Sequence, residues 1–254
     1  MTIADYATAL VTGASSGIGA DTVRALSARG LETWALARRP ERLAELADET
    51  GCHTLAADVR DGAGLEAALE GLEIDVLVNS AGVGRGMEGL LSASAEDVAA
   101  TTETNLGGTL QAIRALAPGM VARRRGHIVN IGSIMGLYPM SAAIYGATKG
   151  GIHMLGSTLR LELQGSGVRV SEVSPGRVQS EFFAANLKDP AGAEALNRQN
   201  PRWRSARAPW ATTPWKPSDC CAGRRPYRSP PGMLVGNRCA ASGARLWRPD
   251  RARP

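Results

Sequence analysis

The sequence predicts an α/β protein with a doubly wound parallel sheet and helices on both of its faces. Short apolar, β-branched runs alternate with helical segments along about the first 190 residues. Glycine-rich or polar residues follow each apolar run directly. Such alternation implies right-handed crossovers and places ligands at the carboxyl ends of the strands.

The first predicted strand, residues 7–11, leads through a glycine-rich turn, residues 12–19, into a helix that begins near Ala20. Glycines at a strand-to-helix turn let the backbone approach a diphosphate, whose charge is then met by helix N-terminal amides. The glycines of this turn, Gly13, Gly17 and Gly19, are spaced differently from the commoner G-x-G-x-x-G. The prediction therefore rests on the position of the turn between the first strand and the first helix.

Five further strands are predicted at residues 32–37, 53–57, 74–78, 127–132 and 168–173. The residues after any one of these strands could be ordinary turn residues. However, the strands are predicted to be parallel, so all of the turns would meet at one edge of the sheet. The residues concerned are Arg38 and Arg39, Asp58, Asn79 to Gly82, Ser133, and Pro175 with Gly176. They therefore predict one ligand site.

Tyr145 and Lys149 stand four residues apart and would share a helix face. An ammonium beside a phenol favours the phenolate, so such a tyrosine could exchange a proton near neutral pH, as reversible alcohol oxidation requires. With four tyrosines and three lysines in 254 residues, chance predicts only about 0.05 such pairs. The alternative is a surface pair on a helix.

These motifs, together with Asn105, resemble those of the short-chain dehydrogenase/reductase family, which implies a Rossmann-type fold. The resemblance implies that Tyr145 is the general acid/base, that Ser133 orients the substrate oxygen, and that Lys149 lowers the tyrosine pKa and holds the nicotinamide ribose. It also implies that Asn105 holds a water that links Lys149 to solvent. The alternative for Asn105 is a kinked helix position.

The resemblance further implies the residues that line the dinucleotide. Those for the diphosphate turn are Gly13, Ser15, Ser16, Gly17, Ile18 and Gly19. Those for the adenine end, the riboses and the nicotinamide are Asp58, Val59, Asn79, Ala81, Gly82, Tyr145, Lys149, Pro175, Gly176, Val178 and Ser180. No metal is expected, because Cys52, Cys220, Cys221 and Cys239 lack metal-ligand spacing.

Cofactor choice follows from the end of the second predicted strand. NAD enzymes usually place an acidic residue there to bind the ribose 2′-hydroxyl, whereas this chain has Arg38 and Arg39. A guanidinium suits a 2′-phosphate by charge and by geometry, so NADP is predicted over NAD. The alternative is that both arginines are solvated residues at a helix entry.

The basic charge of the chain is confined to its last part. The net charge is +5, but residues 201–254 carry twelve basic and two acidic residues, and residues 1–200 carry 17 and 22. We therefore predict a catalytic domain over residues 1–197 and an irregular tail over 198–254 that is frameshifted or otherwise aberrant. The alternatives are a disordered basic tail and a divergent cap. No nucleic-acid partner is inferred from this charge.

The remaining expectations concern substrate, assembly and location. Residues 83–88 and 126–133 resemble the branch of NADP-dependent 3-hydroxy acid dehydrogenases, which implies a small 3-hydroxy or 3-oxo acid. A 3-oxoacyl-thioester reductase, and a nucleotide-binding protein impaired by its tail, are the alternatives. In the family the helices at residues 95–116 and 145–163 pair across a two-fold axis, so we expect a homodimer and doubt a tetramer. With no membrane-length apolar run or basic leader, we expect a cytoplasmic protein without a membrane partner.

Overall fold

The computed structural model describes residues 2–176, 178 and 180–186. The predicted domain boundary near residue 197 and the tail at 198–254 lie outside the described residues. The strands within the described part are β1 (Thr8–Thr12), β2 (Glu32–Ala37), β3 (His53–Ala56), β4 (Val76–Asn79), β5 (Gly126–Ile131) and β6 (Val168–Val173). The α-helices there are α1 (Gly17–Ser27), α2 (Pro40–Thr50), α3 (Gly62–Leu69), α4 (Ala95–Thr102), α5 (Gly108–Ala122), α6 (Ala143–Glu162) and α7 (Phe182–Asn186).

All six strands form one parallel sheet in the order β3-β2-β1-β4-β5-β6. The chain moves outward from β1 to β3 and then crosses back to β4, so the strand order reverses between β1 and β4. Ligands bind at this kind of reversal in open α/β sheets. The predicted fold class is confirmed.

The core lies on both faces of the sheet because side chains alternate along each strand. Val11 and Val78 face a cluster that includes Val23 from α1 and Leu43 from α2. On the opposite face, Leu10 and Leu77 pack with residues from α3, α5 and α6. The strands are therefore buried on both sides, as their nearly continuous apolar runs predict.

Element boundaries differ from the sequence prediction in a few places. The first helix begins at Gly17 rather than near Ala20, because the glycine turn also forms its first helical turn. Strand β4 ends at Asn79, one residue later than predicted. The segment predicted as a helix over 95–116 is α4, a π-helical turn at Glu103–Gly107 and α5, which continues to Ala122.

Candidate active site

The glycine turn between β1 and α1 is shaped by two close backbone approaches. Gly13 and Gly17 have φ values of +68° and +54°, a region that favours glycine. A Cβ atom at Gly13 would lie 2.6 Å from the Cα of Ala81, and one at Gly19 would overlap the Gly13 carbonyl oxygen. The turn is thus packed against the loop after β4. The first N–H groups of α1, which have no partner within the helix, lie at this turn.

Thr12, at the end of β1, ties the turn to the loop that follows β4. Its hydroxyl oxygen accepts hydrogen bonds from the backbone N–H groups of Ser80 and Ala81, each at 3.1 Å. Thr12 itself is buried. The two predicted cofactor motifs are therefore joined by a direct contact at the point where the strand order reverses.

The two predicted arginines, Arg38 and Arg39, follow β2 at the same edge of the sheet. Arg39 donates to the hydroxyls of Ser15 at 2.9 Å and Ser16 at 3.0 Å, and about half of its side chain is exposed. Arg38 lies 3.9 Å from the Asp58 carboxylate. Asp58 is also bound by Arg60 at 2.6 Å, and this hydrogen bond holds the pKa of Asp58 below its usual value.

Asn105 is buried in the π-helical turn, and its side chain joins three elements. Its Oδ1 accepts from the Val83 N–H at 2.8 Å, and its Nδ2 donates to the Val83 carbonyl at 2.9 Å and to the Thr148 hydroxyl at 3.0 Å. The structure thus has the helix irregularity that the sequence offered as an alternative. The water-holding role stays a prediction. A Cβ atom at Gly82 would lie 3.3 Å from the Asn105 Oδ1 and 3.7 Å from the Lys149 Nζ.

Ser133 and Tyr145 meet just beyond the end of β5. Ser133 is buried, its hydroxyl accepts from the Met135 N–H at 3.2 Å, and its side chain acts on the Tyr145 phenol. Burial raises the pKa of Tyr145 to about 12, and the nearby Ser133 hydroxyl opposes that rise. The phenol is therefore held protonated at neutral pH in this arrangement.

Lys149 follows one turn later on α6, and only 6% of it is exposed. Its ammonium donates to the Ile131 carbonyl at 2.7 Å and lies 5.7 Å from the centre of the Tyr145 ring. Burial lowers the pKa of Lys149 to about 8, against the opposing effect of the Glu172 carboxylate. The predicted lowering of the tyrosine pKa by Lys149 stays a prediction.

The chain after β6 covers the catalytic groups. The Pro175 carbonyl accepts from the Ile134 N–H at 3.1 Å, next to Ser133. The Ser180 Cβ would lie 3.2 Å from a Cβ at Gly17, so this segment also reaches the glycine turn. Gly176 and Val178, the other residues predicted to line the nicotinamide, lie between these two contacts in the chain.

Helix α7 then places a wall beside Tyr145. The Phe182 ring centre is 5.5 Å from that of Tyr145, and the Asn186 Oδ1 accepts from the Gly84 N–H at 2.8 Å. Four residues near the site were not predicted from the sequence: Thr148, Glu172, Phe182 and Asn186. A five-residue helix has too few positions to show a periodic pattern. The hydrogen bonds that the Thr12 and Asn105 side chains accept likewise come from chain segments that are distant in sequence.

The structure thus brings Asn105, Ser133, Tyr145 and Lys149 together near the carboxyl end of β5, whereas Arg38, Arg39 and Asp58 lie just after β2 and β3. The glycine turn and residues 79–82 lie between them. No group of three or more His, Cys, Asp or Glu side chains within the described residues is placed to bind a metal ion. No helix among the same residues has the length and apolar character needed to cross a bilayer.

Comparison with known proteins agrees with this geometry. Residues 7–191 match the family described as short chain dehydrogenase. The "NADP-dependent 3-hydroxy acid dehydrogenase YdfG" of Escherichia coli (strain K12) is 41% identical over 200 residues, which cover 75% of this chain and 81% of that protein. The corresponding protein of Salmonella typhi is 42% identical over 188 residues, covering 70% of this chain and 76% of that protein.

Solved structures give the same result. "The Closed form of serine dehydrogenase complexed with NADP+" superposes with a TM-score of 0.73 at 40% identity and covers 76% of this chain and 82% of that one. A "Short-chain dehydrogenase from Sphingobium yanoikuyae in complex with NADPH" superposes with a TM-score of 0.68 at 36% identity, covering 73% and 77%. The predicted cofactor, NADP, is the one that these relatives are named for or contain.

Proposed function

Because the chain belongs to the short-chain dehydrogenase family, we propose that it is an NADP-dependent oxidoreductase that interconverts a secondary alcohol and a carbonyl. The observation that carries the proposal is the arrangement of the buried Ser133 and Lys149 around the half-buried Tyr145 at the carboxyl end of the sheet. The Ser133 hydroxyl lies near the phenol and opposes the rise of its pKa, so one substrate oxygen can meet both groups. This arrangement suits proton transfer at that oxygen.

In carbonyl reduction, Tyr145 donates its proton to the substrate oxygen while Ser133 holds that oxygen in place. Burial favours the protonated phenol and so prepares Tyr145 for this direction. In alcohol oxidation the proton moves from the substrate hydroxyl to Tyr145, so Tyr145 must first be a phenolate. The Lys149 ammonium, one turn away on α6, favours that phenolate. Ser133 then orients the hydroxyl of the alcohol.

The groups at the carboxyl edge of the sheet suit a dinucleotide with a 2′-phosphate. The glycine turn has no room for side chains, and the α1 N-terminus supplies N–H groups suited to a diphosphate. Arg39 converges with Ser15 and Ser16 at this edge, where donors and a positive charge suit a phosphate. When bound, NADP supplies or accepts the hydride. Lys149 and residues 79–82 would hold its inner ribose and diphosphate, and Pro175 to Val178 would contact its nicotinamide.

We propose a small 3-hydroxy or 3-oxo acid as the substrate. The names of the relatives with 41% and 42% identity support this class. Phe182 packs on Gly84, where a Cβ would lie 2.7 Å from its ring, and its ring centre is 5.5 Å from that of Tyr145, so this aromatic side chain stands beside the reacting groups. A 3-oxoacyl thioester is the second candidate, because its 3-oxo group offers the same chemistry to Ser133 and Tyr145.

The test is turnover by the full-length protein, followed by the absorbance of the reduced nicotinamide. 3-Hydroxybutyrate and threonine, whose 3-hydroxyl groups are secondary alcohols, are compared with an acetoacetyl thioester, each with NADP or NAD in the matching redox state. We expect the free 3-hydroxy acids to be oxidised with NADP and the thioester to be the poorer substrate. Preference for the thioester would replace the proposed substrate class, and absence of turnover with every alcohol and carbonyl would overturn the proposed activity.

For assembly we propose a homodimer through α4, α5 and α6. Large apolar side chains are exposed on these helices: Leu110 by 45%, Met154 by 64% and Leu161 by 73%. A self-complementary face of this kind suits a two-fold interface. Light scattering on the purified protein tests this, and a monomer at micromolar concentration would contradict it. A cytoplasmic location stays a prediction.

A further inference from the structure

A buried carboxylate that the proposed reaction does not use lies directly behind the catalytic residues. Glu172 is near the end of β6, and only 7% of its side chain is exposed. Its Oε1 accepts from the Ser174 hydroxyl at 2.6 Å, and its Oε2 is paired with the His153 Nδ1 at 2.9 Å. Carboxylates are seldom buried to this extent without partners or a role.

Glu172 packs against the backbone that carries Ser133. Gly132 immediately precedes Ser133, and a Cβ atom at Gly132 would overlap the Glu172 Oε1. Ile131 precedes Gly132, and its carbonyl accepts the Lys149 ammonium at 2.7 Å. Residues 131–133, at the end of β5 and the start of the following loop, are therefore contacted at Gly132 by Glu172 and at the Ile131 carbonyl by Lys149.

Glu172 also reaches the helix that carries Tyr145 and Lys149. His153 lies one turn beyond Lys149 on α6 and is about half exposed. A Cβ atom at Gly156, in the next turn, would lie 3.9 Å from the Glu172 Oε2, the Asn130 Nδ2 and the Arg160 Nη2 alike. The charged or titratable groups that face this carboxylate from α6 are therefore Lys149, His153 and Arg160.

The charge of Glu172 bears on Lys149. Burial lowers the pKa of Lys149, and the Glu172 carboxylate acts in the opposite direction. An opposite charge nearby favours the charged form of a buried group. Without Glu172, the buried amine would lose its proton more readily.

We propose that Glu172 is a positioning residue of the catalytic site: its carboxylate keeps the Lys149 ammonium charged and bonded to Ile131, while His153 clamps the carboxylate from the solvent side. Glu172 acts through Lys149 and the 131–133 backbone and does not touch the substrate. This inference rests on the proposed function only in treating Lys149 as a catalytic residue.

The test reads the Lys149 ammonium directly and needs no substrate. The chain has three lysines, Lys149, Lys188 and Lys216, so lysine labelled with carbon-13 at Cε produces three resonances, and Lys149→Arg identifies the one of interest. The full-length protein is titrated as parent, Glu172→Gln and Glu162→Gln. Glu162 is an exposed residue at the end of α6 and serves as the matched control.

We expect Glu172→Gln to move the Lys149 midpoint to lower pH by on the order of one unit, and Glu162→Gln to leave it in place. Glu172→Asp, which keeps the charge, should hold the midpoint near the parent value, and it decides the question if the glutamine variant does not melt cooperatively. An unchanged midpoint in Glu172→Gln, or a fallen midpoint in a folded Glu172→Asp, would overturn the proposal.

A kinetic readout separates this proposal from the proposed function. With a turned-over substrate, the basic limb of kcat/KM in Glu172→Gln should move to lower pH together with the Lys149 midpoint. A uniform fall in rate with both limbs in place would show a structural role alone and overturn the inference. A protein without any turnover, but with the predicted midpoint shift, would instead contradict the proposed function and leave Glu172 coupled to Lys149.

Discussion

The two ends of the sheet differ in how their buried polar groups are hydrogen-bonded. At the amino end, Asp75 accepts from the Ala7 N–H and from Arg125, both at 2.8 Å, and the Arg125 guanidinium lies 5.9 Å from the centre of the Tyr6 ring. At the carboxyl end, the Asn79 Oδ1 and the Asn130 Nδ2 are buried without a hydrogen-bond partner among the described residues. Buried polar groups are normally satisfied, and two of the three exceptions among the described residues lie at this end; the third is the Ser27 Oγ at the last residue of α1.

The pKa values follow the same division. Burial of Asp75 acts to raise its pKa, but the hydrogen bonds from Arg125 and the Ala7 amide outweigh it, and the pKa is lowered. At the carboxyl end burial dominates, so the pKa of Tyr145 rises and that of Lys149 falls. Asp75 is thus held charged by its donors, whereas Tyr145 and Lys149 are shifted toward their neutral forms and can exchange protons. Substitution of Asp75 should therefore change stability, and substitutions at the catalytic residues should change rate.

The largest effect is expected from Tyr145→Phe. Removing the hydroxyl that gives and takes the proton should lower the rate on the order of 10²-fold or more and leave the melting temperature nearly unchanged. Initial rates and thermal melting measure the two quantities, with the exposed Tyr138→Phe as the control. Near-parental turnover of Tyr145→Phe would remove Tyr145 from the mechanism and weaken the distinction between the two ends.

The next largest effect, on cofactor affinity, is expected at the two arginines that follow β2. Replacing Arg38 and Arg39 by alanine should weaken NADP far more than NAD, because charged hydrogen bonds to a phosphate contribute about 1.5–3 kcal/mol each. Calorimetric titration with both cofactors measures the difference. Arg29→Ala, an exposed arginine just after α1, is the control. Equal losses for both cofactors would show that the arginines are structural.

At the amino end, Asp75→Ala should lower the free energy of unfolding by about 1–3 kcal/mol, because it leaves the Ala7 N–H without its acceptor and the Arg125 guanidinium without its carboxylate partner. The rate per folded molecule should stay the same. Urea unfolding and initial rates measure these, with the exposed Asp48→Ala as the control. A loss of rate without a loss of stability would invert the comparison.

A separate effect is a pH dependence of stability at the amino end. Burial, with a contribution from Arg169, lowers the pKa of His127 from 6.5 to about 4. The unfolded chain therefore binds a proton there before the folded protein does, and stability should fall between about pH 6.5 and 4. The lowered pKa of Asp75 adds a further loss below its ordinary value of 3.8.

Thermal melting across this pH range tests the assignment. His127→Gln should reduce the loss between pH 6.5 and 4, whereas replacement of the exposed His53 by glutamine should not. The same slope in the parent and in His127→Gln would mean that another group is responsible.

The strand positions could be predicted because local information decides them. Apolar, β-branched runs bounded by glycine and polar residues show where the strands lie, and the alternation with helices implies their parallel order. Boundaries were off by one to three residues, as at Gly17 and Asn79, because a glycine turn can belong to the helix that it precedes. The π-helical turn at Glu103–Gly107 has no local signal, since it depends on the contacts of Asn105 with Val83 and Thr148.

The fold class could be predicted from the sequence alone, and the sequence also predicts four catalytic positions at one edge of the sheet, because strand ends and a helical spacing of four are local properties of the chain. The tertiary structure decided what surrounds those positions. Glu172 lies 23 residues beyond Lys149 in the chain, and Thr12 lies 68 residues before Ser80, yet each packs at the same edge. Burial and long-range contacts set the pKa of Tyr145 and Lys149, and neither is visible until the chain has folded.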